Sequence, residues 1–374
     1  MRAPAGSVLR AGGLPHMLAG MDERTARLIG RRLVRWYGIH SRPLPWRKQP
    51  TPYRVWVSEV MLQQTVAAVV VPYFRRWVRR FPSIRKLAAA CERDVLSAWE
   101  GMGYYRRARD LLAAARRLVR EHAGRVPPSR AELLRLPGVG PYTASAIRSL
   151  AFGADEVALD ANGTRVFMRL LSLDGSGSEA GAKRAVRRWA EAALPRGRSA
   201  AFNQALMDFG TLICRPRAPG CAECFLTGCC EGFQRGTQYE IPRRARRLLK
   251  KGRVAVAVFL RNGRVYLQKR PGTGLFAAMW EFPGGKVEKG ETPVGALTRE
   301  CREELGVDVK LGRKLLELTY RYTTFEVRLH AFLCRPPEGL PVDRTHRWVA
   351  LRDLPSYPMP SANRRIVGGL LDAT

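Results

Sequence analysis

Leu136-Pro137-Gly138-Val139-Gly140-Pro141-Tyr142-Thr143-Ala144 is the stretch on which the fold of this chain turns. Two glycines one residue apart let the backbone bend sharply. Pro141 then opens a helix whose first N–H groups point outward, an arrangement that suits a phosphate oxygen. A bare Gly-Val-Gly between helices is also a common tight turn, so its meaning depends on its surroundings. Those surroundings read as helical from residue 21 to about 213. Thr51-Pro52 places a cap and an N1 proline before a long apolar pattern that begins at Tyr53. Leu111 to Val119 and Lys183 to Ala193 repeat the helical period, and strand-like alternation is missing.

Downstream the composition changes. Residues 232–251 are polar and strongly basic, with Arg243, Arg244, Arg246, Arg247, Lys250 and Lys251, and read as a linker. From Arg253 the period switches to two. Val254 to Leu260, the turn Asn262-Gly263 and Val265-Tyr266-Leu267 form a hairpin. A helix near Pro293 to Leu305 and a strand from Phe325 to Leu333 follow. The expected organisation is an extension over 1–20 without structure of its own, an all-α domain over 21–231, the linker, and an α+β domain over 252–374.

The chain has 374 residues, enough for two domains. Its 65 basic and 32 acidic residues leave a net charge of +33, and only ten of the basic residues are lysine. Arginine bias can follow codon usage, but an excess of bases over acids cannot, so a polyanion, nucleic acid first, is the expected partner. The longest uncharged apolar run, Val60 to Phe74, falls short of the roughly 20 residues a membrane span needs and carries Gln63, Gln64 and Thr65. No membrane and no secretory leader are read; the expected location is the cytoplasm, on DNA, as a monomer. Five of eight cysteines fall between Cys214 and Cys230. Such clustering argues for a metal site over a disulfide framework.

Four segments carry chemistry. Cys214-x6-Cys221-x2-Cys224-x5-Cys230 supplies four thiolates for a [4Fe–4S] cluster or a zinc ion, which thiolate chemistry alone does not separate. Leu44-Pro45-Trp46-Arg47 precedes Val55-Trp56-Val57-Ser58-Glu59-Val60-Met61-Leu62. Glu59 there has apolar residues one turn before and after it. A carboxyl so placed is desolvated, its pKa rises, and it serves as a general acid. A solvent-exposed glutamate is the plainer reading, but this helix looks apolar all round. In Leu159-Asp160-Ala161-Asn162-Gly163-Thr164, Asp160 caps the next helix or forms a second carboxylate facing Glu59. Such a pair breaks glycosidic bonds through an oxocarbenium-like transition state.

Together with Trp99 to Arg109 and Phe202 to Asp208, these segments resemble the MutY family of adenine DNA glycosylases, within the endonuclease III superfamily, over residues 24–231. The resemblance places the [4Fe–4S] cluster well ahead of zinc. It implies that Gly138, Val139 and Gly140 grip the DNA backbone as a helix-hairpin-helix. It implies that Glu59 protonates adenine at N7, that Asp160 stabilises or traps the sugar cation, and that Asn162 positions Asp160. Tyr142 stands where bifunctional relatives carry a Schiff-base lysine, which places the chain on the monofunctional side. Trp46, Arg47 and Gln204 would line the adenine pocket. Leu62, Gln63, Gln64 and Tyr104 would contact the duplex around the lesion, where a flipped base leaves a hole costing a few kcal/mol. Trp99 is read as core.

Gly285-x5-Glu291-x7-Arg299-Glu300-Cys301-Arg302-Glu303-Glu304-Leu305-Gly306 matches the Nudix box at every position except Cys301. Glu300, Glu303 and Glu304 share helical spacing, so one face would offer three carboxylates to Mg²⁺. A salt-bridged helix is the alternative. The family carries a MutT-like domain here that reads 8-oxoguanine, and a lesion-reading platform is favoured over a second hydrolase. The family's F-S-H loop corresponds to Tyr322-Thr323-Thr324, which keeps a hydroxyl at Thr323 and loses the histidine. The expected function is removal of adenine from double-stranded DNA opposite 8-oxoguanine or guanine. The rivals are a Mg²⁺-dependent nucleotide pyrophosphohydrolase that docks on DNA and a non-catalytic DNA-binding protein.

Overall fold

A computed structural model describes residues 22–174, 180–243, 249–272, 274, 276–322 and 325–371. The extension read at 1–20 and Thr323 lie outside the described residues. The helices begin with α1 (Glu23–His40), α2 (Pro45–Lys48), α3 (Pro52–Leu62), α4 (Ala67–Arg80), α5 (Ile84–Ala88), α6 (Glu92–Trp99) and α7 (Arg106–His122). They continue with α8 (Arg130–Leu134), α9 (Pro141–Phe152), α10 (Ala161–Leu170), α11 (Ala180–Ala193), α12 (Ser199–Leu212) and α13 (Glu231–Gln234). The strands are β1 (Lys250–Arg261), β2 (Arg264–Lys269), β3 (Trp280–Glu281), β4 (Gly284–Lys286), β5 (Lys310–Arg321), β6 (Phe325–Arg335) and β7 (His346–Ala350), with α14 (Pro293–Leu305) and α15 (Ser361–Leu371) among and after them.

The chain forms two units. The first joins residues 22–63 to 125–243. Its core interleaves Ala26, Ile29 and Leu33 of α1 with Phe167 and Leu170 of α10, Val186 and Trp189 of α11, and Phe202, Leu206 and Phe209 of α12. Each large aliphatic or phenyl side chain among them contributes roughly 1.5–3 kcal/mol of burial. Thr51 caps α3 by accepting from the Arg54 N–H, with Pro52 at N1. Helix α3 is buried along nearly its whole length, Tyr53 and Val55 to Met61, which explains why no polar stripe is visible in its sequence. The stretch read as a linker from residue 232 is in part structural: Ile241 is 2% exposed in this core, and its carbonyl accepts from Arg169 Nε at 2.8 Å. A basic composition hid one buried isoleucine.

The second unit joins residues 64–124 to 249–371. In this division helices α4 to α7 group with the sheet. Named contacts explain it. Arg364 of α15 donates from Nε to Glu100 Oε1 at 2.6 Å, and Arg109 of α7 donates to the Ala277 carbonyl. Trp77 and Trp99 are fully buried with ring centroids 5.5 Å apart, so Trp99 is core. The sheet runs β3-β2-β1-β6-β5, with β4 also on β1 and β7 on β2. Only the β1–β6 pairing is parallel. Strand β1 alternates strictly: Val256 and Val258 face the core shared with α15, Ala255, Ala257 and Phe259 the core shared with α14. Asn262 and Gly263 both take positive φ, 50° and 67°, as a two-residue hairpin turn requires.

Candidate active site

Glu59 occupies the third turn of α3 and is 3% exposed. Its Oε2 accepts a hydrogen bond from the Tyr142 hydroxyl at 2.8 Å, Tyr142 standing in the first turn of α9. Burial pushes the Glu59 pKa up to about 7; the Tyr142 bond and the Arg47 charge oppose this rise, and the Asp160 charge adds to it. Burial and the neighbouring Glu59 hold the Tyr142 phenol far above its ordinary value, so it remains a donor.

Asp160 is both cap and site residue. Its Oδ1 accepts the Gly163 N–H at 2.7 Å and its Oδ2 the Asn162 side-chain amide at 2.8 Å. Burial raises its pKa, and those donors oppose the rise. Asn162 is fixed in turn by Arg165, whose Nη2 donates to Asn162 Oδ1 at 2.9 Å and to Gly210 O at 2.6 Å. Arg165 Nε reaches the Cys214 carbonyl at 3.0 Å. The segment entering Asp160 is pinned by fully buried Asn203, which accepts from the Ala158 N–H and donates to Glu156 O and Ser149 Oγ. The structure thus brings Glu59, Tyr142, Asp160 and Asn162 into one partly buried polar site.

Trp46 is buried on α2. Arg47 beside it is committed: Nη1 and Nη2 donate to Asp208 at 2.7 and 3.0 Å. Arg42 donates to the same carboxylate from Nε at 2.6 Å. The ion pairs of Asp208 with Arg42 and Arg47 were missed in the sequence, although Asp208 ends the quoted Phe202–Asp208 segment. Gln204 bonds back to Ala200 O on its own helix.

The hairpin lies between α8 and α9. Gly138 takes φ 74°, a left-handed turn open to glycine, and Gly140 is the N-cap of α9 with no side chain capping the helix, so its first N–H groups remain available. Gln63 Nε2 donates to Thr143 Oγ1 at 3.2 Å and lies 3.4 Å from Gly138 O, bracing this turn. Leu62 closes α3 and is half-buried.

In the second unit a cavity of about 890 Å³ is lined by Gln64 and Tyr104 together with Phe276, Tyr320, Tyr322 and Phe325. Gln64 and Tyr104 both have positive φ, 58° and 51°. For non-glycine residues that is stored backbone strain, of the kind found at binding sites. The Tyr104 hydroxyl is buried without a partner. Tyr322 packs on Tyr320, Phe276 and Phe325 with centroids 4.5–5.1 Å apart. Apart from Tyr322, this aromatic set carries no short-range sequence signal.

Cys214, Cys221, Cys224 and Cys230 line one cavity in the first unit, and Cys229 is not among its lining residues. Burial pushes the thiols of Cys224 and Cys230 up to about 11, and the other cysteines add to the rise. Arg169 Nη1 lies 3.3 Å from Cys214 Sγ. Four thiols around a shared space, with a buried guanidinium beside them, fit a multi-iron group. Among the described residues no three His, Cys, Asp or Glu side chains converge closely enough for a single metal ion.

The Nudix-box carboxylates cluster around one guanidinium. Arg299 engages Glu291, Glu300 and Glu303, and Gln268 Nε2 donates to Glu304 at 2.6 Å. A Cβ at Gly285 would meet the Glu300 carboxyl carbon at 2.2 Å and displace that side chain. The box as it stands is a salt-bridged helix. No described helix is long and apolar enough to cross a membrane.

Residues 57–192 match the HhH-GPD superfamily of base excision DNA repair proteins, and residues 254–368 match a NUDIX domain. Among solved structures, a thermostable thymine-DNA glycosylase is 28% identical, with a TM-score of 0.52 over 57% of this chain and 98% of that one. Endonuclease III bound to DNA, 22% identical with a TM-score of 0.51, shares the fold. The molecule is thus a helix-hairpin-helix base excision repair protein that carries a NUDIX domain. An adenine DNA glycosylase of Buchnera aphidicola subsp. Baizongia pistaciae is 32% identical over 262 residues, covering 69% of this chain and 74% of the relative. The chain belongs to the adenine DNA glycosylase family. The rat relative is 32% and the human 31% identical, and this chain spans 66% and 60% of their lengths.

Proposed function

We propose that this chain hydrolyses the N-glycosidic bond of adenine mispaired with 8-oxoguanine or guanine in double-stranded DNA, and that it has no lyase step. The observation that supports this reading most is the buried Glu59 carboxyl, with its pKa near 7, the Tyr142 hydroxyl on it and the Asp160 charge acting on it. With its pKa close to the working pH, such a group is about half protonated and suited to general acid catalysis. Glu59 delivers its proton to the leaving base at N7. Asp160, whose donors favour its ionised form, stabilises or traps the cation at C1′. Two carboxyls in unlike surroundings divide the acid and anion roles. Tyr142 offers a phenol where a Schiff base needs an amine.

Trp46, Arg47 and Gln204 line the pocket for the flipped adenine, Arg47 acting as a fixed cationic edge. Gly138, Val139 and Gly140 take a backbone phosphate on the N-terminus of α9. In the second unit Gln64, Tyr104 and the aromatic set around Tyr322 read the opposing base, for which stacking is sequence-tolerant and strong. Cys214, Cys221, Cys224 and Cys230 would hold a [4Fe–4S] cluster. When bound, such a group staples its loop and supplies redox-active iron.

The test is a single-turnover assay on a duplex with adenine opposite 8-oxoguanine, in wild type and Glu59→Gln, without added Mg²⁺. Strand breakage that requires alkali, seen in wild type and lost in the variant, is expected. Wild type that leaves adenine in place with its iron intact defeats the reading.

A further inference from the structure

Two guanidinium groups converge on one carboxylate beside this site. The Asp208 side chain has no exposed surface, and it receives four hydrogen bonds. Oδ1 accepts from Arg42 Nε at 2.6 Å and Arg47 Nη2 at 3.0 Å. Oδ2 accepts from the Arg42 backbone N–H at 3.1 Å and Arg47 Nη1 at 2.7 Å. Arg47 is thus held in a bidentate fork, with its guanidinium carbon 5.5 Å from the Tyr37 ring centroid and Nη1 also on the Arg42 carbonyl. Burial works against an ionised Asp208, but Arg47 and Arg42 outweigh it, and the carboxyl stays below its ordinary pKa. The carboxylate is therefore a permanent counter-charge at neutral pH.

Glu59 takes a hydrogen bond from Tyr142 of α9, and the charges acting on it are those of Asp160 at the start of α10 and Arg47 of α2. Arg47 is the one cation in that set, and it is the one Asp208 grips. We infer that Asp208 is a positioning residue for the acid step: by fixing and compensating Arg47, it keeps that cation from drawing the proton off Glu59. The inference rests on the adenine-excision reading above. Without Asp208 the Arg47 charge acts on Glu59 uncompensated. An opposite charge at close range favours the ionised carboxylate, and an ionised Glu59 has no proton to give.

The test is the pH dependence of single-turnover adenine removal in wild type, Asp208→Asn, Arg47→Gln and the double variant. It is paired with ¹³C NMR titration of carboxyl-labelled glutamate, in which Glu59 is assigned by its loss in Glu59→Gln. Wild-type activity falls as pH rises through about 7. In Asp208→Asn that limb and the Glu59 titration both move down by about one pH unit, so the loss at pH 8 is about tenfold and shrinks in acid. Removing Arg47 as well returns the limb to the wild-type position or above it. A uniform loss at every pH, with the Glu59 titration unmoved, makes Asp208 merely structural and overturns the inference. If Asp208→Asn does not fold, Arg47→Gln alone decides: its Glu59 titration must move up, and an unmoved or lowered value overturns the inference. A wild type that titrates as described but releases no adenine defeats the excision reading instead.

Discussion

Two sets of glutamates in this chain look alike on paper and differ in every physical respect. Glu59 sits in an apolar helix, 3% exposed, with a phenol as its hydrogen-bond donor and no arginine on its oxygens in the structure. The glutamates of the Nudix box surround Arg299, which takes Glu291, Glu300 and Glu303 at 3.0–3.2 Å. Burial lifts Glu59 to about 7, whereas Arg299 and the Glu288 N–H hold Glu291 below its ordinary value. The first arrangement stores a proton near neutral pH. The second stores a network of partly buried ion pairs with no proton to give. Spacing locates a carboxylate, but its neighbours decide what it does.

Breaking the first arrangement has the largest effect. Glu59→Gln is expected to slow adenine release by about 10²–10⁴-fold in single-turnover kinetics, the usual range for a general acid. The same variant sharpens the contrast through stability. The folded-state pKa of Glu59 is raised from 4.5 to about 7, so between those values the native state holds more protons than the unfolded chain. Stability therefore falls as pH rises through that window, and the penalty persists above it. Glu59→Gln should then be more stable than wild type at pH 8, by about 3 kcal/mol at most. Near pH 4 the difference should vanish. Thermal unfolding at the two pH values checks this.

Tyr142→Phe removes the donor that opposes the rise in the Glu59 pKa. Its alkaline limb should move up by up to about one pH unit, read from the pH–rate profile. On the other side of the comparison, Glu300→Gln and chelation of divalent cations should leave adenine release unchanged. A Mg²⁺ requirement at this step would show that the two sets of carboxylates act together.

Much of this molecule is legible locally. Thr51-Pro52 announces α3, Asn262-Gly263 the hairpin, and Pro293 to Leu305 the box helix, because caps, turns and periodicity act over a few residues. Burial of Glu59 is legible for the same reason, since its own helix has no polar face. What escapes is set by distance along the chain. Arg42 and Asp208 are far apart in sequence, and nothing near Arg42 separates it from the other arginines of this basic chain. Ile241 lies in a polar stretch, and only its packing under Arg169 reveals that the chain there belongs to the first unit. The grouping of α4 to α7 with the sheet depends on Arg364 and Arg109, whose partners no short motif predicts.

The first unit is built from two separated lengths of chain, 22–63 and 125–243. That division has a consequence for synthesis. Glu59 leaves the ribosome well before Tyr142, Asp160 and Asp208, and at 5–20 residues per second the wait is on the order of ten seconds. Through that interval α3 carries an apolar surface with no partner, the kind of exposure that invites aggregation or chaperone capture. Native contacts across so long a separation also slow folding. The enclosure that raises the Glu59 pKa forms only once the last of these residues has emerged, so this acid is assembled late.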